Sequence, residues 1–222
     1  MNFNKISDQL PTLTKIAKFA NPSMSIEDAE ILALTEIDEL QSIISSSEYL
    51  LKCTEDSAIR VLRSVIKKGL TVDQSVKLVY ILPNYNSYLK CYEVTAPETV
   101  DGKLYLAYRS GRIVDHRACE FKDGIFTFSY KLIDGRWQEF EYDWSFFKRL
   151  MGFSEKKNKG KINQLYGSDI STIDPSFAKA KVIKHSLSKL GINPFQTNIE
   201  VKQFTPTGLE DLEDLDGLEL EL

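Results

Sequence analysis

The strongest constraint on the fold is a change in hydrophobic period along the chain. Before Gly69 the apolar residues recur every three to four positions, which is typical of amphipathic helices. After Gly69, short apolar runs rich in β-branched residues alternate with turn residues, which is typical of antiparallel strands. From Trp144 the helical period returns. Helices, then a strand meander, then helices indicate an α+β fold.

Two of the expected helices near the N-terminus have clear start signals. Ser25 and Thr54 are typical N-cap residues, and acidic residues follow each of them in the first helical turn. Gly69 is a typical C-cap for the second of these helices. We therefore expect residues 1–50 to be largely helical and a second helix to run from Thr54 to Gly69.

The middle of the chain predicts a hairpin followed by a meander. The expected hairpin pairs Lys77–Leu82 with Tyr88–Val94 through a connection that contains Pro83-Asn84. Further strands are expected at Ile113–Phe121, Ile125–Leu132 and Trp137–Tyr142, with tight turns at Asp123-Gly124 and Asp134-Gly135. The pattern of Lys103–Tyr108 fits either a strand or a buried helical turn.

The C-terminal part predicts two helices and a tail. One helix starts at Trp144, residues 152–167 form a polar, lysine-rich link, and a second helix starts at Pro175 and stops at Gly191. This divides the chain into an N-terminal helical segment (residues 1–44), a core (residues 45–196), and a linker with an acidic tail (residues 197–222).

Cysteine usage and hydropathy predict a cytoplasmic protein. The three cysteines are an odd number at irregular spacing, so a disulfide framework is not expected. The first residues lack the apolar core of a signal peptide, and no stretch approaches the roughly 20 apolar residues that span a bilayer. No membrane partner is expected.

The net charge of −4 is unevenly distributed and hides a basic body. Seven acids and no base lie in Glu210–Leu222. Without them, 28 bases face 25 acids, a net charge of about +3. The leucine-studded tail is either a solubilising end or a segment that docks a partner or competes with DNA for the basic residues.

No motif for hydrolysis or ATP binding is present, so enzymatic activity is not expected. The two histidines, His116 and His185, lack the context of a catalytic nucleophile, and no phosphate-binding glycine loop ends in Lys-Ser or Lys-Thr. His116 and Cys119 could join a distant cysteine at a metal site, but His-x-x-Cys alone is weak, and buried thiols are the simpler interpretation. We expect no cofactor; Mg²⁺ is possible, although no sequence motif indicates it.

Clustered bases are the most informative feature for function. Six bases lie within Lys148–Lys161, arginines flank Gly111, and further bases lie on the last predicted helix. Solvated helix faces would also produce such clusters, but their number favours phosphate binding, which is independent of base sequence and sensitive to salt. On this ground we predict DNA contacts by nine residues: Arg109, Arg112, Lys148, Lys156, Lys157, Lys159, Lys161, Lys181 and Lys184. Many aromatics could stack bases, although most of them are expected in the core: Tyr80, Tyr85, Tyr88, Tyr92, Tyr105, Tyr108, Trp137 and Trp144.

Four stretches in one order resemble the RecT/Redβ group of phage single-strand DNA annealing proteins. They are Tyr49–Pro83, Thr99–Gly111, Trp144–Lys148 and Phe177–Gly191. In the second stretch Gly102, Leu106, Ala107, Arg109 and Gly111 match the family pattern, while Val100 and Asp101 replace its tyrosine and lysine. In the last stretch Ala180-Lys181 replaces the family's Lys-Thr pair.

The resemblance implies an activity and a fold. Members of this group bind single-stranded DNA, anneal complementary strands without ATP in homologous recombination, and assemble into rings or helical filaments. It implies that Arg109, Lys179, Lys181 and Lys184 line the DNA groove and that Lys103–Tyr108 is helical. Lys77 and Lys103, which lie in the matched stretches, are predicted as further DNA-contacting residues. The implied partners are single-stranded DNA, the annealed duplex intermediate, further copies of the chain, and an exonuclease or a host single-strand binding protein.

Two alternatives remain from the sequence. One is a protein that coats single-stranded DNA or RNA without annealing it. The other is a metal-dependent enzyme with a basic substrate groove, against which the absence of paired histidine or carboxylate motifs argues.

Overall fold

The computed structural model describes residues 1–157, 159–191 and Thr207. The chain divides into two compact units, an N-terminal unit of Met1–Gly102 and a C-terminal unit that begins at Lys103. Each unit combines helices with antiparallel strands, which confirms the α+β class. The boundary expected after residue 44 falls in the last turn of a helix, and the boundary expected after residue 196 lies outside the described residues. None of the described helices is both long and apolar enough to cross a bilayer.

The N-terminal unit opens with helices, as predicted. They are α1 (Phe3–Ser7), α2 (Leu10–Ala20), α3 (Ile26–Ser45), α4 (Glu48–Leu51) and α5 (Glu55–Lys68). The Ser25 and Thr54 side chains accept backbone N–H groups at the starts of α3 and α5, so both predicted N-caps are confirmed. Gly69 ends α5 in the left-handed region with φ 66°, which confirms the predicted C-cap.

The core of this unit is built from the facing apolar sides of α2, α3 and α5. Leu13, Leu40 and Leu62 are fully buried there. Glu36 of α3 is also buried, and its carboxylate accepts the backbone N–H of Val72 at 2.8 Å. This contact ties the segment that follows α5 to α3.

The hairpin is present, but its strands lie later in the chain than predicted. β1 (Leu82–Asn86) pairs antiparallel with β2 (Cys91–Thr95). The predicted strand at Lys77–Leu82 is therefore wrong, and Pro83 lies within a strand instead of in the connection. Leu78 and Val79 of the predicted strand are buried outside β1. Their apolar character reflects the burial of an irregular segment, which period alone cannot separate from a strand.

The ambiguous segment Lys103–Tyr108 is helical and belongs to α6 (Val100–Arg109). A Cβ on Gly102 would lie 2.0 Å from the carbonyl oxygen of Leu78, so glycine permits a close backbone approach there. After the end of the helix, Gly111 adopts a positive φ of 67°, and the N–H of Arg112 donates to the carbonyl of Ala107 at 3.1 Å. This is the geometry of a Schellman motif.

A four-stranded antiparallel sheet follows α6. Its strands are β3 (Ile113–His116), β4 (Glu120–Lys122), β5 (Ile125–Leu132) and β6 (Trp137–Tyr142). β5 lies centrally, with β3 and β4 along one edge and β6 along the other. The predictions of β5 and β6 are confirmed residue for residue. The single strand predicted at Ile113–Phe121 is wrong, because β3 and β4 pair with different ends of β5.

The two predicted Asp-Gly turns of the sheet are confirmed. Asp123 and Gly124 both have positive φ, 52° and 79°, as a two-residue type I′ turn between β4 and β5 requires. Gly135 also has a positive φ, 87°, in the turn between β5 and β6.

Two helices complete the C-terminal unit. α7 (Trp144–Lys157) is longer than predicted, because the expected link began at residue 152 and residues 152–157 are helical. α8 (Pro175–Ser188) starts with Pro175 in its first turn, and the Asp174 side chain accepts the N–H of Phe177 at 2.8 Å. Aromatic residues from the sheet and both helices, Phe126, Phe147 and Phe177 among them, fill the core.

Candidate nucleic-acid interface

The helix expected to carry a basic, DNA-facing surface is a core helix. Buried residues lie on every side of α8, and they are Phe177, Ala178, Ala180, Lys181, Val182, Ile183, Ser186 and Leu187. The other residues of the helix are exposed or half-buried, with Pro175, Ser176, His185 and Ser188 exposed, so most of the helix lies inside its unit. The three lysines of α8 that the resemblance assigns to a DNA groove therefore do not form one exposed face.

Lys181 shows this most clearly. Only 5% of the residue is exposed, and its Nζ lies 4.7 Å from the ring centroid of Phe177. The aliphatic stem of a lysine packs well against apolar surface, and its ammonium is attracted to the face of an aromatic ring. Lys179 and Lys184 are half-buried. The bases on this helix are thus less accessible than the sequence pattern predicts.

The three bases predicted in and after α6 differ in exposure. Lys103 and Arg109 are half-buried, and the Nε of Arg109 is a buried atom. Arg112 is exposed just beyond the helix end. The C-terminus of a helix carries partial negative charge, so cations are stabilised there whether or not DNA is bound.

The lysine-rich stretch from α7 onward supplies exposed bases. Lys148 and Lys156 are exposed on α7, and Lys159 and Lys161 are exposed after it. The helix ends where the N–H of Gly160 donates to the carbonyl of Glu155 at 2.8 Å. The side chain of Lys157 lies outside the described part of the structure.

Three exposed lysines occupy a backbone conformation that favours glycine. Lys77, Lys90 and Lys159 have φ of 53°, 54° and 53°. For a residue with a Cβ, the left-handed region costs about 1–2 kcal/mol. Lysine therefore stands where glycine or asparagine fits the backbone more easily. The sequence predicts two of these lysines as DNA-binding residues, and it does not single out Lys90 because φ is not visible in sequence.

The turn between β1 and β2 exposes an aromatic side chain. Tyr88 is 90% exposed, and the side-chain oxygen of Asn86 fixes the turn by accepting the N–H groups of Tyr88 and Leu89. Lys90 follows directly. Tyr85 is partly exposed on β1 and packs edge-on against Tyr92 at a centroid distance of 5.1 Å. An exposed tyrosine in the same turn as an exposed lysine suits a site where one side chain stacks on a base and the other binds a phosphate.

His116 and the two buried cysteines have structural surroundings. Nδ1 of His116 lies 2.7 Å from the hydroxyl of Tyr108, and its ring packs near Phe128. Burial raises the pKa of the Cys53 thiol to about 11 and that of Cys119 to about 12, so both thiols stay protonated at neutral pH. In the part of the chain that the structure describes, no group of three or more His, Cys, Asp or Glu side chains is arranged to hold a metal ion.

Comparison with known proteins leaves the family resemblance untested. Neither a scan against protein-family models nor a search of curated proteins found a match to this sequence.

Proposed function

We propose that this protein binds single-stranded DNA and promotes the annealing of complementary strands without ATP, as an oligomer, in the manner of the RecT/Redβ group. The sequence resemblance motivates the proposal. The helical state of Lys103–Tyr108, which that resemblance implied, is consistent with it.

The observation that carries the proposal is the placement of exposed lysines in left-handed backbone at Lys77, Lys90 and Lys159. For Lys90 and Lys159, a left-handed backbone that glycine would adopt with less strain points to a use of the side chain outside the fold. Phosphate binding is such a use, because it needs exposed positive charge and no particular base. Tyr88, two residues before Lys90, adds an exposed ring in the same turn.

These side chains have separate roles in the proposed mechanism. The lysines neutralise backbone phosphates and so reduce the repulsion between two strands. Tyr88 stacks on a base of the first strand and leaves the Watson–Crick edges of the other bases open. Pairing with a second strand then selects sequence, so the protein needs no base-specific contacts.

The test separates phosphate binding from fold stability. Lys159→Gly is expected to keep the stability of the protein within about 1 kcal/mol, because relief of left-handed strain offsets the added freedom of the unfolded chain. Its affinity for a single-stranded oligonucleotide should fall, and the log–log slope of affinity against salt should decrease by about 0.7 for each phosphate that the variant no longer neutralises. Lys15→Gln, which removes an exposed charge from α2, is the matched control and should leave binding unchanged.

An annealing assay with two complementary oligonucleotides decides between annealing and coating. Accelerated pairing at protein concentrations that saturate the first strand supports the proposal. Saturation without accelerated pairing would leave a coating protein, and unchanged affinity in Lys77→Gly, Lys90→Gly and Lys159→Gly together would remove these lysines from the interface.

A further inference from the structure

Two exposed helix faces carry complementary patterns of charge and apolar side chains. We propose that α3 of one copy of this chain packs against α7 of another copy, in a head-to-tail contact. The contact would build the oligomer of the proposed function and rests on that function only for its biological purpose.

The first face is a stripe along α3 that we name the acidic stripe: Glu27, Ile31, Leu34 and Asp38. Their spacing of four, three and four residues places them along one side of the helix. All four are exposed, with Ile31 at 63% and Leu34 at 47%. Two exposed apolar residues thus lie between two carboxylates on a face opposite the core.

The second face is a stripe along α7 that we name the basic stripe: Arg149, Phe153 and Lys156. Their spacing of four and three residues again places them along one side. Phe153 is 68% exposed, and both bases are exposed. An aromatic residue thus lies between two bases on the basic stripe, while an aliphatic pair lies between two acids on the acidic stripe. The charges of the two stripes are therefore complementary.

Neither stripe is neutralised within the described part of the chain. Its ion pairs join other residues, among them Lys5–Asp56, Lys52–Glu48, Arg60–Glu93 and Lys68–Glu98. The carboxylates of the acidic stripe are about 16 Å apart along the axis and the bases about 10 Å, at 1.5 Å per residue. Long arginine and lysine side chains extend far enough to close the difference while Phe153 packs on the two aliphatic residues.

Gly152 supports a contact at this position of α7. Glycine in a helix interior costs about 1 kcal/mol relative to alanine. A Cβ at Gly152 would meet no heavy atom within 4 Å, so packing inside the described chain does not require glycine there. A bare backbone beside Phe153 instead allows another helix to approach closely.

A second copy is the occupant that the charges favour. The contact uses different surfaces on the two partners, so it can repeat along a chain of subunits and close into a ring or continue as a filament. The acidic stripe repels nucleic acid. The basic stripe, taken alone, could also contact DNA, so the experiment includes that outcome.

The test is charge reversal followed by mixing, with self-association measured by sedimentation velocity without DNA. Variant A carries Glu27→Lys and Asp38→Lys, and variant B carries Arg149→Glu and Lys156→Glu. Each variant alone should associate at least about tenfold more weakly than the wild type, because like charges then face each other. An equimolar mixture of A and B should recover association, because every junction again pairs opposite charges.

Matched control variants separate an effect on the contact from effects on folding or on net charge. Glu30→Lys with Glu39→Lys makes the same charge change on exposed positions of α3 outside the acidic stripe, and should associate like the wild type. Gly152→Gln should block association without loss of helix, and Gly152→Ala should affect it much less. Circular dichroism checks the fold of every variant.

Three results would overturn the proposal. They are a wild-type protein that stays a monomer of 25.3 kDa at all concentrations, variants A and B that associate normally, or a mixture that fails to recover. Loss of oligonucleotide binding in variant B with unchanged self-association would assign the basic stripe to DNA instead. Because self-association is measured without DNA, its result is independent of the annealing assay. Either the proposed contact or the proposed function can therefore fail while the other is supported.

Discussion

Glu36 is a carboxylate that the N-terminal unit buries with a specific partner. It accepts the N–H of Val72, and burial raises the pKa of Glu36 above its usual value of 4.5, against the opposing hydrogen bonds from Thr71 and Val72. A raised pKa in the folded state means that the folded protein holds the proton more tightly than the unfolded chain. The stabilisation of the folded protein that comes from this tighter proton binding is therefore present below pH 4.5 and is lost as pH rises through the folded-state pKa of Glu36.

Glu36→Gln is expected to stabilise the protein at neutral pH by up to a few degrees in Tm. The amide oxygen still accepts the N–H of Val72, while the cost of a buried charge disappears. The gain should shrink as pH falls through the raised pKa of Glu36, where the side chain becomes protonated in the folded wild type. Thermal unfolding across this range measures it, with the exposed Glu30→Gln as the control. A constant or absent gain at every pH would contradict the assignment.

Lys181 also belongs to the core by position. Lys181→Glu is expected to lower the free energy of unfolding by about 3 kcal/mol or more, because it buries a carboxylate against the negative face of Phe177. Lys181→Met keeps the stem and removes only the charge, so it should cost much less. Denaturant unfolding of both variants decides this. If both are as stable as the wild type, Lys181 is not a core residue.

At the scale of the element, α6 depends on one close contact. Gly102→Ala is expected to destabilise the protein by about 1–3 kcal/mol, because the new Cβ meets the carbonyl oxygen of Leu78 and backbone yields less easily than a side chain. Gly152→Ala is the control, since its Cβ meets nothing and should stabilise α7. Denaturant midpoints measure both changes. Equal effects in the two variants would contradict the close approach.

Elements with local signals were predictable from the sequence, and those set by tertiary packing were not. The caps at Ser25 and Thr54 and the turn at Asp123-Gly124 depend on neighbouring residues alone, so their chemistry is legible in sequence. The burial of Lys181 depends on what surrounds α8, and a lysine at helical spacing looks the same on either face. The apolar run before β1 resembles a strand for the same reason, because only tertiary packing shows that it is a buried irregular segment.

The sequence predicts which residues of the candidate site are basic, but it does not predict which side chains form an exposed surface. Exposed Lys156, Lys159 and Lys161 lie where the clustered bases indicated. The left-handed backbone of Lys90 and the 90% exposure of Tyr88 follow from the geometry of one turn, which no periodic pattern encodes.

For the whole molecule, the charge divides into a basic body and an acidic tail. Deletion of residues 208–222, all of which lie outside the described residues, is expected to tighten binding of single-stranded DNA at low salt, because it removes the seven acids. The difference should vanish at high salt, where charges are screened within a few ångströms. Oligonucleotide titrations at several salt concentrations measure it. Replacing the seven acids by their amides should have the same effect, and a null result in both variants would leave the tail a solubilising end.

The burial of α8 has a consequence for synthesis of the protein. The ribosome completes β3–β6 and α7 before it makes α8, so the aromatic residues of the sheet leave the exit tunnel without the helix that covers them. Domains generally fold as units, the N-terminal ones first during synthesis. The C-terminal unit therefore matures late, and until then its nascent chain presents the apolar surface that chaperones bind.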